Sequence, residues 1–148
     1  MIELGWREWV ALPKLGLERI KAKIDTGART SALHAFEVTE FRQDNEPWVR
    51  FRMHPRQYRT DIEVECTARI KDSRVVSDSG GHREERYVIE TPIRILDQEW
   101  PIELTLTARD DMRFRMLLGR TAMAGRAIVD PARSYLTKKT KAEKRRQA

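Results

Sequence analysis

Residues 21–35 read KAKIDTGARTSALHA, and this stretch decides the fold. On its N-terminal side, apolar Ile20, Ala22 and Ile24 alternate with charged residues, which is the pattern of a β-strand with one buried face. After Asp25, the residues Thr-Gly-Ala predict a tight turn, because Gly27 has no side chain to obstruct an approaching backbone. A β-strand therefore leads directly into an acidic turn.

The same two-residue alternation recurs along most of the chain, and it predicts a mainly β, mostly antiparallel domain. Turn residues separate the strands at spacings that suit a small closed barrel. Residues 119–127 fit no strand alternation, so they predict a short helix near the C-terminus. The apolar positions of the other alternating stretches are Val49, Phe51 and Met53; Ile62, Val64, Cys66, Ala68 and Ile70; and Trp100, Ile102, Leu104 and Leu106.

Composition indicates one domain over residues 1–137, followed by a basic tail over residues 138–148. The tail contributes +5 (six bases less Glu143) of the formal net charge of +6, and its lack of apolar periodicity favours disorder. The sequence has no apolar run of the roughly 18 residues that a membrane helix needs, nor the layout of a secretory signal, so we expect a cytoplasmic protein. The single Cys66 excludes an internal disulfide, and its place in an apolar stripe predicts burial.

The tripeptide Asp25-Thr26-Gly27 is, by itself, more typical of an ordinary turn than of a catalytic loop. A second segment, Met116-Leu117-Leu118-Gly119-Arg120, places apolar residues and a glycine before the predicted helix. Together the two segments resemble the active-site loop and the closing apolar-apolar-glycine-arginine segment of retropepsin-like aspartic proteases. With the opening GWREWVALP, they are most similar to a bacterial retropepsin-like endopeptidase family often labelled "ATP-dependent zinc protease", over residues 4–136.

The resemblance implies a closed retropepsin-like barrel and a role for each residue of the loop. Asp25 would be the shared acid and base, Thr26 would tie two loops together through its hydroxyl, Gly27 would offer backbone groups, and Ala28 would line the cleft. Aspartate-catalysed amide hydrolysis takes two carboxylates about 3 Å apart that share one proton. The sequence holds one Asp-Thr-Gly, so the second carboxylate would come from another copy in a two-fold homodimer.

Family members cover the cleft with hairpin flaps, and residues 75–87 are the best candidate in this chain. Adjacent Gly80 and Gly81 at the tip would permit both a turn and hinge motion, and the flap would contact substrate. An exposed hairpin without this role is the alternative.

Position 29 departs from the viral pattern, in which an acid follows the Asp-Thr-Gly-Ala motif and pairs with the later arginine. Arg29 stands there instead, so Arg29 and Arg120 would be like-charged neighbours unless Asp110 or Asp111 supplies the missing carboxylate. We expect Arg29, with Arg120, to bind an acidic group of a peptide or protein substrate. The resemblance favours a Glu-rich tail, such as that of a glutamylated ribosomal protein.

The family label also suggests zinc and ATP, and the sequence supports neither strongly. The weak metal candidates are His34, His54 and His82, at spacings typical of no metal motif. No phosphate-binding glycine motif occurs, so no cofactor is expected, and any ATP dependence would come through a partner.

Non-enzymatic binding is the alternative class of function. A catalytically weak or inactive barrel would bind a peptide, a ribosome or nucleic acid through its basic tail and through exposed arginines. Those arginines are Arg50, Arg52, Arg56 and Arg59. A zinc-dependent hydrolase is the remaining alternative.

Overall fold

A computed structural model of the chain describes residues 1–77, 80–81, 83–108 and 113–137. Eleven strands, one short α-helix and a 3-10 turn at Pro13–Leu15 make up the regular structure of this part of the chain. The elements are β1 (Ile2–Leu4), β2 (Arg7–Leu12), β3 (Leu17–Asp25), β4 (Ser31–His34), β5 (Phe36–Gln43), β6 (Glu46–Met53), β7 (Val64–Ser77), β8 (Arg83–Ile95), β9 (Gln98–Thr107), β10 (Met116–Gly119), α1 (Arg120–Met123) and β11 (Ala127–Val129).

Six of these strands form a closed barrel in the order β2, β3, β10, β4, β9 and β8. The ring closes where Ala11 of β2 pairs with Arg94 of β8, the one registered pair between these two strands among the described residues. The structure therefore confirms the predicted fold class, a mainly β closed barrel with a short helix near the C-terminus. Across the residues described, no helix combines the length and apolar character that crossing a bilayer requires.

The alternating residues of the sequence fill the barrel. Ile20 and Ala22 are fully buried and Ile24 is nearly so, while the charged residues between them lie on the outer face of β3. The apolar positions of β6 and β9 are buried in the same way. Cys66 is buried as predicted, and its thiol donates to the Leu15 carbonyl oxygen at 3.4 Å.

An arm of three strands, in the order β7, β6 and β5, extends the sheet from β8 of the barrel. The β5–β6 hairpin turns at Asp44 and Asn45, whose positive φ values of 53° and 63° suit a two-residue turn of the mirror-image type. Cross-strand ion pairs cover the exposed face of the arm, including Arg50 with Glu65 and Arg69 with Glu46.

The predicted helix is present but shorter than the stretch that predicts it. It begins at Arg120 and ends at Met123, and Gly125 then adopts a positive φ of 77°. The chain next enters β11, which pairs in parallel with β1. The small residues of this segment therefore support a single helical turn and a reversal.

Strand β10 lies between two strands that are consecutive in sequence. It runs parallel to β3, with Gly119 opposite Asp25, and antiparallel to β4, with Met116 opposite Leu33. The loop that connects β3 to β4 must therefore pass over the C-terminal end of β10. This arrangement brings the two sequence motifs together.

A buried carboxylate fastens the end of the described chain to β2. Glu8 has no exposed surface, and it accepts hydrogen bonds from the backbone amides of Gly5, Leu136 and Thr137 and from the Thr137 hydroxyl. Nearby, a side chain at Gly5 would collide with the Arg133 backbone at 2.2 Å. The basic tail lies outside the described residues, so the boundary at residue 137 stays a prediction.

Candidate active site

Asp25 ends β3, and its own loop fixes its carboxylate. The Oδ1 atom accepts hydrogen bonds from the amides of Gly27 at 2.9 Å and Ala28 at 3.1 Å. The Ala28 amide also approaches the Asp25 carbonyl oxygen at 3.3 Å, which closes a tight turn. No described residue donates to Oδ2, so one oxygen is oriented by the backbone and the other is available for chemistry.

Two glycines of this site leave little room for a side chain, and at Gly119 only glycine fits. A Cβ at Gly27 would lie 3.2 Å from Asp25 Oδ1, and a Cβ at Gly119 would lie 2.5 Å from the Thr30 carbonyl carbon. The second distance is far below normal contact, and the neighbour is backbone that has little freedom to move. The loop therefore packs directly on the backbone of β10.

The start of α1 holds the same loop by hydrogen bonds. The Arg120 amide donates to the Ala28 carbonyl oxygen at 2.8 Å, and the Thr121 amide and hydroxyl both donate to the Arg29 carbonyl oxygen at 3.2 Å and 2.7 Å. The Gly119 amide donates to the Ser31 hydroxyl at 2.9 Å. Loop residues 28–31 are thus fixed at both ends by the second motif.

The two arginines singled out in the sequence take different positions. Arg120 directs Nη1 to the carbonyl oxygens of Thr26 and Gly27, each at 3.3 Å, so its guanidinium supports the loop. The Arg29 side chain is exposed and forms no ion pair with any described carboxylate. Asp110 and Asp111, the acids considered for this arginine, lie outside the described residues.

An open cavity of about 620 Å³ adjoins the loop on the side of Arg29. Thr30 and Thr121 line it beside the arginine, and Arg74 and Glu103 line it from the strands opposite. This cavity contains both signs of charge, because Arg74 approaches Glu103 at 3.8 Å. Thr26, by contrast, is exposed at the surface of the loop.

A second open cavity, of about 280 Å³, lies on the face of β3 that carries Asp25. Lys23 and Leu117 line it where β3 and β10 pair, and Arg86 and Arg115 line it from β8 and from the segment before β10. Sequence reasoning missed these cations. The signal for Lys23 was available, because it lies two residues before Asp25 and therefore on the same strand face.

The predicted flap is the hairpin of β7 and β8, whose last registered pair is Ser77 with Arg83. Gly81 adopts a positive φ of 82°, which agrees with a turn at the predicted tip, and Gly80 and Gly81 are both exposed. Arg86 of this hairpin lines the second cavity. Its Nε donates a hydrogen bond to the Glu84 carboxylate at 2.9 Å. Contact of Gly80 and Gly81 with substrate stays a prediction.

The histidines do not form a metal centre in the part of the chain that the structure describes. No group of three or more His, Cys, Asp or Glu side chains able to hold a metal ion occurs there. His34 and His54 flank Phe36, at ring separations of 6.4 Å and 4.7 Å, and His54 Nδ1 lies 3.2 Å from the Ile62 carbonyl oxygen. His82 lies outside the described residues. The described donors do not fit a zinc site.

Burial makes Cys66 an unsuitable nucleophile. Desolvation raises the pKa of its thiol to about 12, with a smaller contribution from the nearby Glu65 carboxylate. The thiol therefore stays protonated near neutral pH, and Asp25 remains the centre of the candidate chemistry.

Both the sequence and the fold of this chain are similar to those of known proteins. A family model for the retropepsin-like aspartic endopeptidase RimB matches residues 3–140. A crystal structure of a Legionella pneumophila protein of unknown function superposes with a TM-score of 0.75 at 28% identity, covering 93% of this chain and 98% of that one.

Longer proteins contain a segment similar to this chain. Proteins named "Probable alpha-L-glutamate ligase" from Shewanella pealeana and Desulfotalea psychrophila are each 46% identical, over 132 and 129 residues. These matches cover 89% and 87% of this chain but 29% and 28% of the ligases. The chain therefore spans less than a third of the length of these relatives.

Proposed function

Because the chain belongs to the RimB-like family of retropepsin-like aspartic endopeptidases, we propose that it hydrolyses peptide bonds through a water molecule activated by two Asp25 carboxylates, one from each copy of a homodimer. In this mechanism, one carboxylate takes a proton from water while the other, protonated, donates a hydrogen bond to the scissile carbonyl. The two groups share one proton because two like charges at about 3 Å cannot both be ionised at low cost.

The orientation of Asp25 is the observation that carries the proposal. The amides of Gly27 and Ala28 hold Oδ1, and the Gly119 backbone supports the loop beneath them. Such fixed geometry lowers the reorganisation needed when water attacks. This support comes from β10, the strand that pairs directly with β3, so the carboxylate is held by its own turn and by a neighbouring strand.

The exposed loop supports the dimer that this chemistry requires. Thr26 and Gly27 are exposed beside Asp25, so a second copy related by a two-fold axis could bring its own Asp25 to the same place. Within one chain, Asp25 lies in the single Asp-Thr-Gly of the sequence. An isolated copy would supply half of the catalytic pair.

We further infer an acidic, Glu-rich substrate, such as a glutamylated ribosomal protein. Arg29 is exposed without an ion pair to any described carboxylate, and Lys23 lies two residues from the aspartate on the same face. A glutamate-rich chain would supply the carboxylates that these cations lack. The ligase name of the longer relatives favours the same chemistry, since a hydrolase joined to a ligase would act on the bond that the ligase makes.

A peptidase assay on a Glu-rich and a neutral peptide tests both parts. Asp25→Asn should abolish cleavage of both peptides, whereas Asp44→Asn, on the distant β5–β6 turn, should leave it unchanged because asparagine also tolerates a positive φ. Arg29→Ala should lower kcat/KM for the Glu-rich peptide by about fivefold and leave the neutral peptide unaffected. Sedimentation of the wild type should show a dimer, and a strictly monomeric active enzyme would contradict the mechanism.

The binding-module alternative receives less support from the arm. Arg50, Arg52 and Arg59 each pair with a nearby carboxylate, so little of their charge is left for a phosphate backbone. Undetectable turnover in both wild type and Asp25→Asn, with peptide binding retained in both, would favour that alternative.

A further inference from the structure

Four cations form a row on the outer face of β2 and β3. Arg19, Lys21 and Lys23 occupy every second position before Asp25, so they share one face of β3 at a repeat of about 6.6 Å. Arg7 of β2 pairs directly with Lys23 and adds a fourth cation. We call Arg7, Arg19, Lys21 and Lys23 the cationic row.

Aromatic rings hold most of this row in place. The Arg19 guanidinium lies 4.4 Å from the Trp9 ring centroid, and Lys21 Nζ lies 5.4 Å from Trp9 and 5.2 Å from Tyr135. Arg7 lies 4.8 Å from the same tyrosine ring, which stacks on Trp9. Ring contacts position a cation without neutralising it.

The row keeps its charge, unlike the cations of the arm. No member of the cationic row forms an ion pair with a carboxylate anywhere in the described ranges, and the buried Nε of Arg7 has no acceptor there. By contrast, Arg69 pairs with Glu46, and Lys71 pairs with Glu90 and Glu103. The two faces therefore differ in uncompensated charge.

Two adjoining cavities that share Lys23 and Phe114 lie between the row and the end of β3 that carries Asp25. A cavity of about 410 Å³ is lined by Arg7, Lys21 and Lys23 together with Trp6 and Phe114. Lys23 and Phe114 also line the 280 Å³ cavity, which extends to Leu117, the residue opposite Lys23 and two positions before Gly119. Because Lys23 lies two residues before Asp25 on the same face of β3, a chain leaving the carboxylate along β3 would enter these cavities.

We propose that the cationic row is an exosite that binds the acidic stretch of a peptide substrate beyond the cleaved bond. This inference rests on the proposed function, and it adds a second site to it. An extended peptide repeats its side chains on one face at the same two-residue interval as β3, so alternate carboxylates meet successive cations.

The aromatic rings favour an acidic peptide over single-stranded RNA. RNA binding of this kind depends on bases stacking on exposed ring faces. Here Arg19 and Lys21 lie over Trp9, and Arg7 and Lys21 lie over Tyr135. The row also leads to Asp25, which suits a substrate chain.

Peptide length provides the test, because Arg19 lies six residues, or about 20 Å, from Asp25 along the strand. Fluorescence anisotropy on the Asp25→Asn protein compares labelled peptides of four and twelve glutamates. Each cation is expected to contribute a factor of about two to five to the affinity. The Arg19→Gln/Lys21→Gln double variant should therefore weaken binding of the longer peptide by roughly four- to twenty-five-fold. Binding of the shorter peptide should weaken by less than about twofold. The matched control, Arg50→Gln/Arg69→Gln, removes two exposed, paired cations of the arm.

Equal weakening of both peptide lengths, or equal weakening by the control, would overturn the exosite. Tighter binding of a twelve-nucleotide single-stranded RNA than of the longer peptide, at the same salt concentration, would also overturn it. With Asp25 intact, the double variant should raise KM for the longer peptide at unchanged kcat. Because anisotropy uses the Asp25→Asn protein, absence of peptidase activity would refute the proposed function without deciding the exosite.

Discussion

Gly119 lies directly opposite Asp25 in the parallel pairing of β10 with β3. The glycine lies under the loop that follows the aspartate, with the Thr30 carbonyl carbon 2.5 Å from where a Cβ would be. The Gly119 amide also donates to the Ser31 hydroxyl at 2.9 Å. Because Gly119 has no side chain, the loop that follows the candidate catalytic carboxylate can pack directly on the backbone of β10.

Gly119→Ala should therefore damage both the loop and the fold. The added methyl group meets backbone, so we expect the free energy of unfolding to fall by about 1–3 kcal/mol and peptidase activity to fall by more than tenfold. Urea denaturation and a peptidase assay measure the two effects. Ala124→Ser, which adds one heavy atom at an exposed position near the helix end, should change neither.

Arg120→Met separates loop support from substrate binding. If the guanidinium acts by holding the carbonyl oxygens of Thr26 and Gly27, kcat should fall roughly tenfold for Glu-rich and neutral peptides alike, with KM nearly constant. A rise in KM confined to the Glu-rich peptide would instead assign Arg120 to the substrate. Arg126→Met, at an exposed arginine beyond the helix, is the control.

Glu8→Gln should loosen the C-terminal end of the described chain. An amide keeps one acceptor and places its NH₂ against backbone donors, so we expect a loss of about 2–4 kcal/mol in the free energy of unfolding. Limited proteolysis should then cut faster near Leu136 and Thr137. Glu18→Gln, at an exposed carboxylate of β3, should leave both measurements unchanged; equal effects of the two variants would argue against the clamp.

Cys66 should make the protein less stable at alkaline pH. Its folded pKa is raised to about 12 from an ordinary 9.0, so the unfolded chain releases the thiol proton first as the pH rises. The stabilising contribution is complete below about pH 9 and is lost between about pH 9 and 12. Over this range the equilibrium constant for unfolding should rise by up to about tenfold per pH unit. Denaturation from pH 8 to 10.5 should show a steeper decline for wild type than for Cys66→Ala; parallel curves would contradict this.

Local patterns predicted the strands that bury one face. The alternation around Ile24, Phe51 and Leu104 marks β3, β6 and β9, because each has one face in the core and one outside. Strand β5 was not predicted from alternation, since it lies at the open edge of the arm and most of its residues are exposed. Where a strand has no buried face, the two-residue period loses its physical basis.

Distant pairings could not be predicted from the sequence. The resemblance placed Asp25 and Gly119 in one site, but the insertion of β10 between β3 and β4 depends on register between segments far apart in the chain. Glu8 resembles any strand carboxylate, because its amide partners at Leu136 and Thr137 come from the other end of the described chain. Arg115 likewise gives no sign in the sequence that it is buried.

The closure of the barrel at Ala11 and Arg94 has a consequence for its motions. Every other junction around the ring includes at least two registered pairs within the described residues, so the β2–β8 seam is the place where fewest hydrogen bonds must break. Transient separation there would expose the inner face of β2 to solvent while β8 stays paired with β9. Amide hydrogen exchange should accordingly be faster along that seam than between β8 and β9. The edge of β2 that faces β8 would then be the first part of the barrel to exchange with solvent.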